Sequence, residues 1–140
     1  MIRVSAVFLV DRRGWILLQE RDEHAPLAPN QWGLVGGQVE EGEDFEAAAY
    51  RELAEETGLV LTSGLRLWRE TFWRYPDHTG PNHYSLWAAA TDVTDADIVL
   101  GEGRQIIFVA PEQAVTLDLG GPSAKFVPDF LSSPIYRQLS

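Results

Sequence analysis

The sequence predicts an α+β fold, an α/β/α sandwich around a mixed β-sheet. Three observations carry this. Strand-like and helix-like segments are mixed without a regular βαβ alternation. The chain opens on an apolar hairpin. One strong helix signal, with an acidic first turn and a C-cap glycine, follows before mid-chain. The 140 residues read as a single domain over 1–140, and at 45% hydrophobic they can bury a real core.

Residues Arg3 to Val10 alternate loosely and are rich in Val and Phe, which predicts a strand. "DRRG" makes a turn and "WILLQER" the return strand. "DEHAPLAPNQ" carries two prolines and an asparagine and reads as a loop. "WGLVGG" reads as a short strand ending on glycines. A helix is predicted over about Asp44 to Thr57. Its first turn is acidic, its middle holds good helix formers, and Gly58 stands at the C-cap. "LRLWRETFWRY" and "HYSLWAAAT" are two strands joined by "PDHTGPN", and "DADIVL" and "RQIIFVA" are further strand candidates. "PEQAVTL" has proline at a favourable first helical position. "PSAKFVPDFLSS" is a short helix interrupted by Pro128, and "PIYRQL" closes the chain.

Composition removes several classes of function. There is no cysteine, hence no disulfide framework, thiolate metal site or cysteine nucleophile. A cytoplasmic location is compatible with that and is the expectation. No apolar run approaches the roughly 20 residues of a membrane span, and the N-terminus lacks the cleavage site of a signal peptide. A formal net charge of −10 argues against gripping DNA or RNA backbones. It leaves room for a small phosphorylated ligand whose charge a cation neutralises.

Between Gly36 and Leu59 there are eight acidic side chains and one base, Arg51. At about 100° per residue, Glu52 and Glu56 lie about 40° apart, with Glu55 about 60° to the other side of Glu52. They border the stripe of Phe45, Ala49 and Leu53 that must face the core. Like charges at these spacings cost a few tenths of a kcal/mol per pair, and partial burial raises that. An acidic helix is most often a solvated face. The other reading is a cation site, where hard oxygen ligands without Cys or His select Mg²⁺ or Mn²⁺. An EF-hand does not fit, because no D-x-D-x-D-G pattern precedes these residues.

The spacing resembles a known signature. Gly37, then Glu43, then Arg51-Glu52-Leu53, then Glu55-Glu56, then Gly58-Leu59 fill nine specified positions over 23 residues. These residues resemble the Nudix box of the Nudix (MutT-like) hydrolases. The one departure nearby is Val35, where many members have proline. The resemblance implies the Nudix fold and a Mg²⁺-dependent pyrophosphohydrolase. Such an enzyme cleaves a nucleoside diphosphate linked to another group, as in nucleoside triphosphates, damaged nucleotides, ADP-ribose or nucleotide sugars. It implies Glu52 and Glu56 as principal metal ligands and Glu55 as a third ligand or a base. The Gly36 carbonyl is a further ligand, and Arg51 with Glu43 is an ion pair that orients Glu52. Glu102, six residues before Phe108, is the candidate extra ligand or general base, against an ordinary loop glutamate.

On the substrate side, Arg21 either faces ligand or lies on the surface. Trp32 either stacks on a base or packs beneath the glycines. Trp68, Phe72, Trp73, Tyr75 and Tyr84 line one sheet face, as core or as the wall of a base pocket, with Tyr75 the candidate substrate contact. Tyr75 and Pro76 are adjacent, so the subfamily markers carried by tyrosine and proline do not discriminate. His24, His78 and His83 have no spaced metal partner and read as surface residues, with His83 near enough to a pocket to touch ligand. The expected partner is a small nucleotide-type molecule, with no nucleic acid and no membrane, and the exposed aromatics leave room for a homodimer. The alternative is a catalytically quiet Nudix domain that senses a nucleotide; the intact box speaks against it. RNA decapping is disfavoured by the charge.

Overall fold

The computed structural model describes residues 1–75 and 80–140. Pro76 and His78 lie outside them. Strand β1 (Arg3–Val10) is the axis of the molecule. Its residues from Ser5 onward are buried on both faces, so its side chains alternate between two apolar layers. Along one edge it pairs in parallel with β6 (Asn82–Ala90). Along the other it pairs antiparallel with β4 (Val35–Gln38), from Val4↔Gln38 to Val7↔Val35, and near its end with β2 (Ile16–Glu20). Strand β5 (Arg66–Trp73) flanks β6, while β3 (Trp32–Gly33) and β7 (Gln105–Val109) flank β2. The result is a mixed sheet of seven strands.

Helix α1 (Phe45–Thr57) covers one face, where Ala49 and Leu53 meet Val7, Leu9, Leu17, Val35 and Phe108. The short α2 (Pro111–Ala114), α3 (Ser123–Leu131) and α4 (Pro134–Leu139) cover the other. There Phe126, Val127 and Phe130 pack on Phe8, Val10 and Leu86. Phe8 stacks on Phe130 at 4.0 Å, and Trp68 meets both rings edge-on. The three layers are those the sequence predicts.

Two expectations are corrected. "DADIVL" is not a strand: Asp95–Asp97 form a 3-10 turn. Thr94 caps that turn through Asp97, and Asp95 accepts the Phe108 N–H at 2.8 Å. "WGLVGG" does not end on its glycines. The strand breaks at Leu34, and Gly36 and Gly37 lie inside β4. A Cβ on Gly36 would stand 2.2 Å from the Ser5 carbonyl oxygen, so only glycine lets β4 pair with β1 here.

Helix α1 begins on an N-cap, with Asp44 accepting the Ala47 N–H at 2.7 Å. It ends on Gly58 in the left-handed region, which donates to the Ala54 carbonyl. Asp44→Ala is therefore expected to lower stability by about 1 kcal/mol in urea unfolding. Glu46→Ala, in the same first turn but outside the cap, should stay within about 0.5 kcal/mol of the parent. Equal losses in the two variants would remove the cap from this account.

Candidate active site

Helix α1 lies against β4, so the side chains on that flank of the helix meet the two glycines. Glu52 is the closest: a Cβ on Gly37 would stand 2.5 Å from its carboxyl carbon. Gly36, Gly37, Glu52 and Glu56 share the wall of a cavity of about 340 Å³. Glu102 and Arg21 join them there, and Tyr75, Asn82, Tyr84 and Phe126 line it as well.

Arg51 ties Glu52 to the acids outside this cavity. Its guanidinium donates to both oxygens of Glu43 at 2.7 and 2.9 Å, to Glu52 at 2.9 Å and to Glu55 at 3.2 Å. It also donates to the Gln38 carbonyl at 3.0 Å. Arg51 is held firmly cationic by these partners, Glu43 first. The Glu43 carboxyl is pulled down to about 2, by Arg51 first and then by the Glu40 backbone N–H. Glu43 carries that N–H bond on its own side chain at 3.0 Å, which closes the loop before α1.

Glu56 has weaker support, from the charge of Arg21 and a hydrogen bond from Gln19. It is 8% exposed, and its Oε2 is buried without a hydrogen-bond partner among the described residues. Burial, then the charges of Glu52 and Glu102, push its carboxyl up to about 8, while Arg21 acts in the opposite direction. Glu52 moves the same way by burial and is held back by Arg51. A lone buried carboxylate oxygen, with two more carboxyls facing the same cavity, is an environment short of positive charge. Its donor set is oxygen alone, which suits Mg²⁺ or Mn²⁺. Among the described residues no three acidic or histidine side chains are gathered closely enough to hold an ion as they stand.

The structure divides the candidates named from sequence. Glu52, Glu56, Glu102, Gly36, Arg21 and Tyr75 come together at the cavity. Glu55 does not: its side chain is 58% exposed and paired with Arg51, outside the cavity lining. Trp32 is outside as well, packed against the core, its backbone bonded to Asp118 and Gly120. Trp68 and Trp73 are also core-packed, whereas Phe72 is exposed and stacks on His83 at 4.6 Å. His83 lies between Phe72 and Phe45 and does not line the cavity. Tyr75 and Tyr84 pair through their hydroxyls at 3.3 Å. Sequence reasoning missed Asn82, Ser123 and Gln19. For Gln19 a signal existed: it is the one amide in the apolar strand "ILLQE".

The family follows from this arrangement and from comparison with known proteins. The NUDIX domain model matches residues 1–130, and the chain belongs to the Nudix family of hydrolases. It is similar to an RNA pyrophosphohydrolase of Caulobacter vibrioides, 39% identical over 111 residues, which are 76% of this chain and 61% of that protein. The chain thus spans about three-fifths of that relative's length. Its fold resembles that of a MutT protein from Methanosarcina mazei Go1, with a TM-score of 0.77 at 20% identity, covering 92% of this chain and 91% of that one. It also resembles the NUDIX domain of Shewanella oneidensis NrtR complexed with ADP ribose, with a TM-score of 0.79 at 16% identity, covering 100% of this chain and 89% of that one.

The raised Glu56 carboxyl has a consequence for stability. Its ordinary value is 4.5 and its folded value about 8, so the folded state binds the proton more tightly. That contribution is complete below pH 4.5 and is lost as pH rises through about 8. In chelator, the melting temperature is expected to fall as pH is raised from about 5 to about 8. Glu56→Gln should remove most of this slope, leaving a smaller part from Glu52. A slope that is identical in Glu56→Gln would place the titration elsewhere.

Proposed function

We propose that this chain is a Mg²⁺-dependent pyrophosphohydrolase acting on a nucleoside diphosphate linked to another group. The observation that carries the reading is the buried, unpartnered Oε2 of Glu56 facing a cavity it shares with Glu52 and Glu102. Leaving that oxygen unpaired costs about 1–3 kcal/mol, a cost that a bound cation would offset. When bound, the divalent ion supplies charge neutralisation for the diphosphate and acidifies water for attack on phosphorus.

The chain's own groups then have distinct tasks. Glu52 and Glu56 hold the ion, and the Arg51–Glu43 pair fixes the direction of Glu52. Glu102 is a third oxygen donor or the acceptor of the water proton. Glu56 must lose its own proton before it can act as a ligand, so the ion and the proton compete at that atom. Arg21, on the same cavity wall, offsets the charge of a phosphate group. Tyr75 and Tyr84 offer ring faces to a base or sugar. Glu55, held by Arg51 outside the cavity, is better read as support for the clamp than as a ligand.

Small nucleotides fit this reading better than long nucleic acid, because a net charge of −10 repels a phosphate backbone. The similarity to an RNA pyrophosphohydrolase nevertheless places an RNA 5′ end among the substrates to be tried. The test is product release from nucleoside triphosphates, oxidised nucleotides, ADP-ribose, nucleotide sugars, dinucleoside polyphosphates and a 5′-triphosphorylated oligoribonucleotide. Turnover is expected on at least one and should stop on chelation. Glu56→Gln should lower it by more than about 100-fold, beyond the 10–100-fold usual for outer-shell changes. Parent-like turnover in that variant would refute the metal-site assignment. Tight nucleotide binding without turnover on any substrate would favour a nucleotide sensor.

A further inference from the structure

Glu102 is an exposed residue whose carboxylate makes no hydrogen bond or ion pair among the described residues. Its place in the cavity therefore depends on what holds its backbone. On one side the loop docks on the C-terminal turn of α1, whose carbonyls lack partners within the helix. The Val99 N–H donates to the Thr57 carbonyl at 2.8 Å and the Gly101 N–H to the Glu56 carbonyl at 2.9 Å. On the other side the Arg104 N–H donates to the Glu20 carbonyl at 2.8 Å.

Between these anchors stand Glu102 and Gly103. Gly103 has φ +87, in the region that glycine enters without strain. The peptide between them could turn either way were nothing to hold its carbonyl. Gln19 holds it. Its Nε2 donates to the Glu102 carbonyl at 2.9 Å. Gln19 is 4% exposed and sits in the core strand β2. A buried amide there is costly unless bonded. A Cβ on Gly103 would stand 3.0 Å from the same nitrogen, so the glycine allows the approach. The Arg104 side chain adds ion pairs to Glu20 and Glu23, but it is 42% exposed and such pairs contribute little.

We propose that Gln19 is a positioning residue: by fixing the Glu102 carbonyl, it aims the Glu102 carboxylate into the cavity beside Glu56. The inference rests on Glu102 taking part in the proposed hydrolysis. Gln19→Met keeps length and burial but cannot donate; Gln19→Leu is a second variant in case the first folds poorly.

The first readout needs neither metal nor substrate. In chelator, amide hydrogen exchange at Gly101 and Arg104 should rise about 10-fold or more in Gln19→Met, while Leu17 and Leu18 in β2 keep parent rates. The second is turnover on the best substrate of the panel. Gln19→Met should lower it about 10–100-fold, and Gln19→Met combined with Glu102→Gln should be no slower than Glu102→Gln alone. Unchanged exchange in the loop would overturn the proposal. So would a double variant slowed by the product of the two single effects. Parent-like turnover in Glu102→Gln alone would instead overturn the role of Glu102, and the inference with it.

Discussion

The Arg51 guanidinium is the contact on which the acidic segment depends. Three glutamates within two turns of α1 repel one another, and Glu43 adds a fourth charge beside them. Arg51 spends its fixed fork of donors on Glu43, Glu52, Glu55 and the Gln38 carbonyl. Lysine, a point charge with three donors, has no geometry to serve four acceptors at once. The guanidinium ties the loop before α1 to the helix and to the end of β4, and it neutralises the outer carboxylates. What it does not reach is Glu56. The inward side of the helix therefore keeps a buried carboxyl that only Arg21 offsets in part, and that shortage of positive charge is what the proposed cation would relieve.

Close approach is the second constraint, and glycine supplies it at each junction. Gly36 lets β4 pair with β1, and Gly37 makes room for the Glu52 carboxyl. Gly101 lies so near α1 that a Cβ would stand 2.2 Å from the Glu55 carbonyl oxygen. These positions bring three pieces of chain onto one helix flank: β4, α1 and the loop before β7. A single added methyl group at Gly36 or Gly101 would meet backbone, which cannot move aside as a side chain can.

Much of this was legible in the sequence, for reasons that differ by element. The boundaries of β1 and α1 follow from apolar alternation, from the acidic first turn and from the Gly58 cap, all local signals, while the Asp44 cap itself was seen only in the structure. The pairing of Arg51 with Glu43 and Glu52 follows from spacing through the resemblance to a known motif. The exposure of Glu55 did not follow, because a helical wheel gives an angle and not the depth of the opposing strand. Trp32 could not be placed either. Its surroundings depend on the segment at Asp118 to Gly120, which bonds to it from far along the chain. The 3-10 turn at Asp95–Asp97 was hidden for a similar reason. An Ile-Val-Leu run looks like a strand, but here it leaves the sheet to bond with the end of α1.

The motif and the cavity answer different questions. Of the motif residues, Gly37, Glu52 and Glu56 line the cavity and would meet the charge of the proposed diphosphate. Choice among the proposed substrates would fall to the other lining residues, Tyr75, Tyr84, Asn82, Ser123 and Phe126. These come from β6, from the segment following β5 and from the start of α3, none of which belongs to the box. Two tyrosine hydroxyls bonded to each other, with burial raising the pKa of Tyr84, keep that lining neutral and hydrogen-bonding. A cavity lined by both neutral aromatic groups and carboxylates would suit the proposed kind of molecule, with a charged linkage and a flat or hydroxylated group. The mixed lining of the cavity thus explains why a strong sequence signal fixes the class of chemistry while leaving the substrate to residues without a signature.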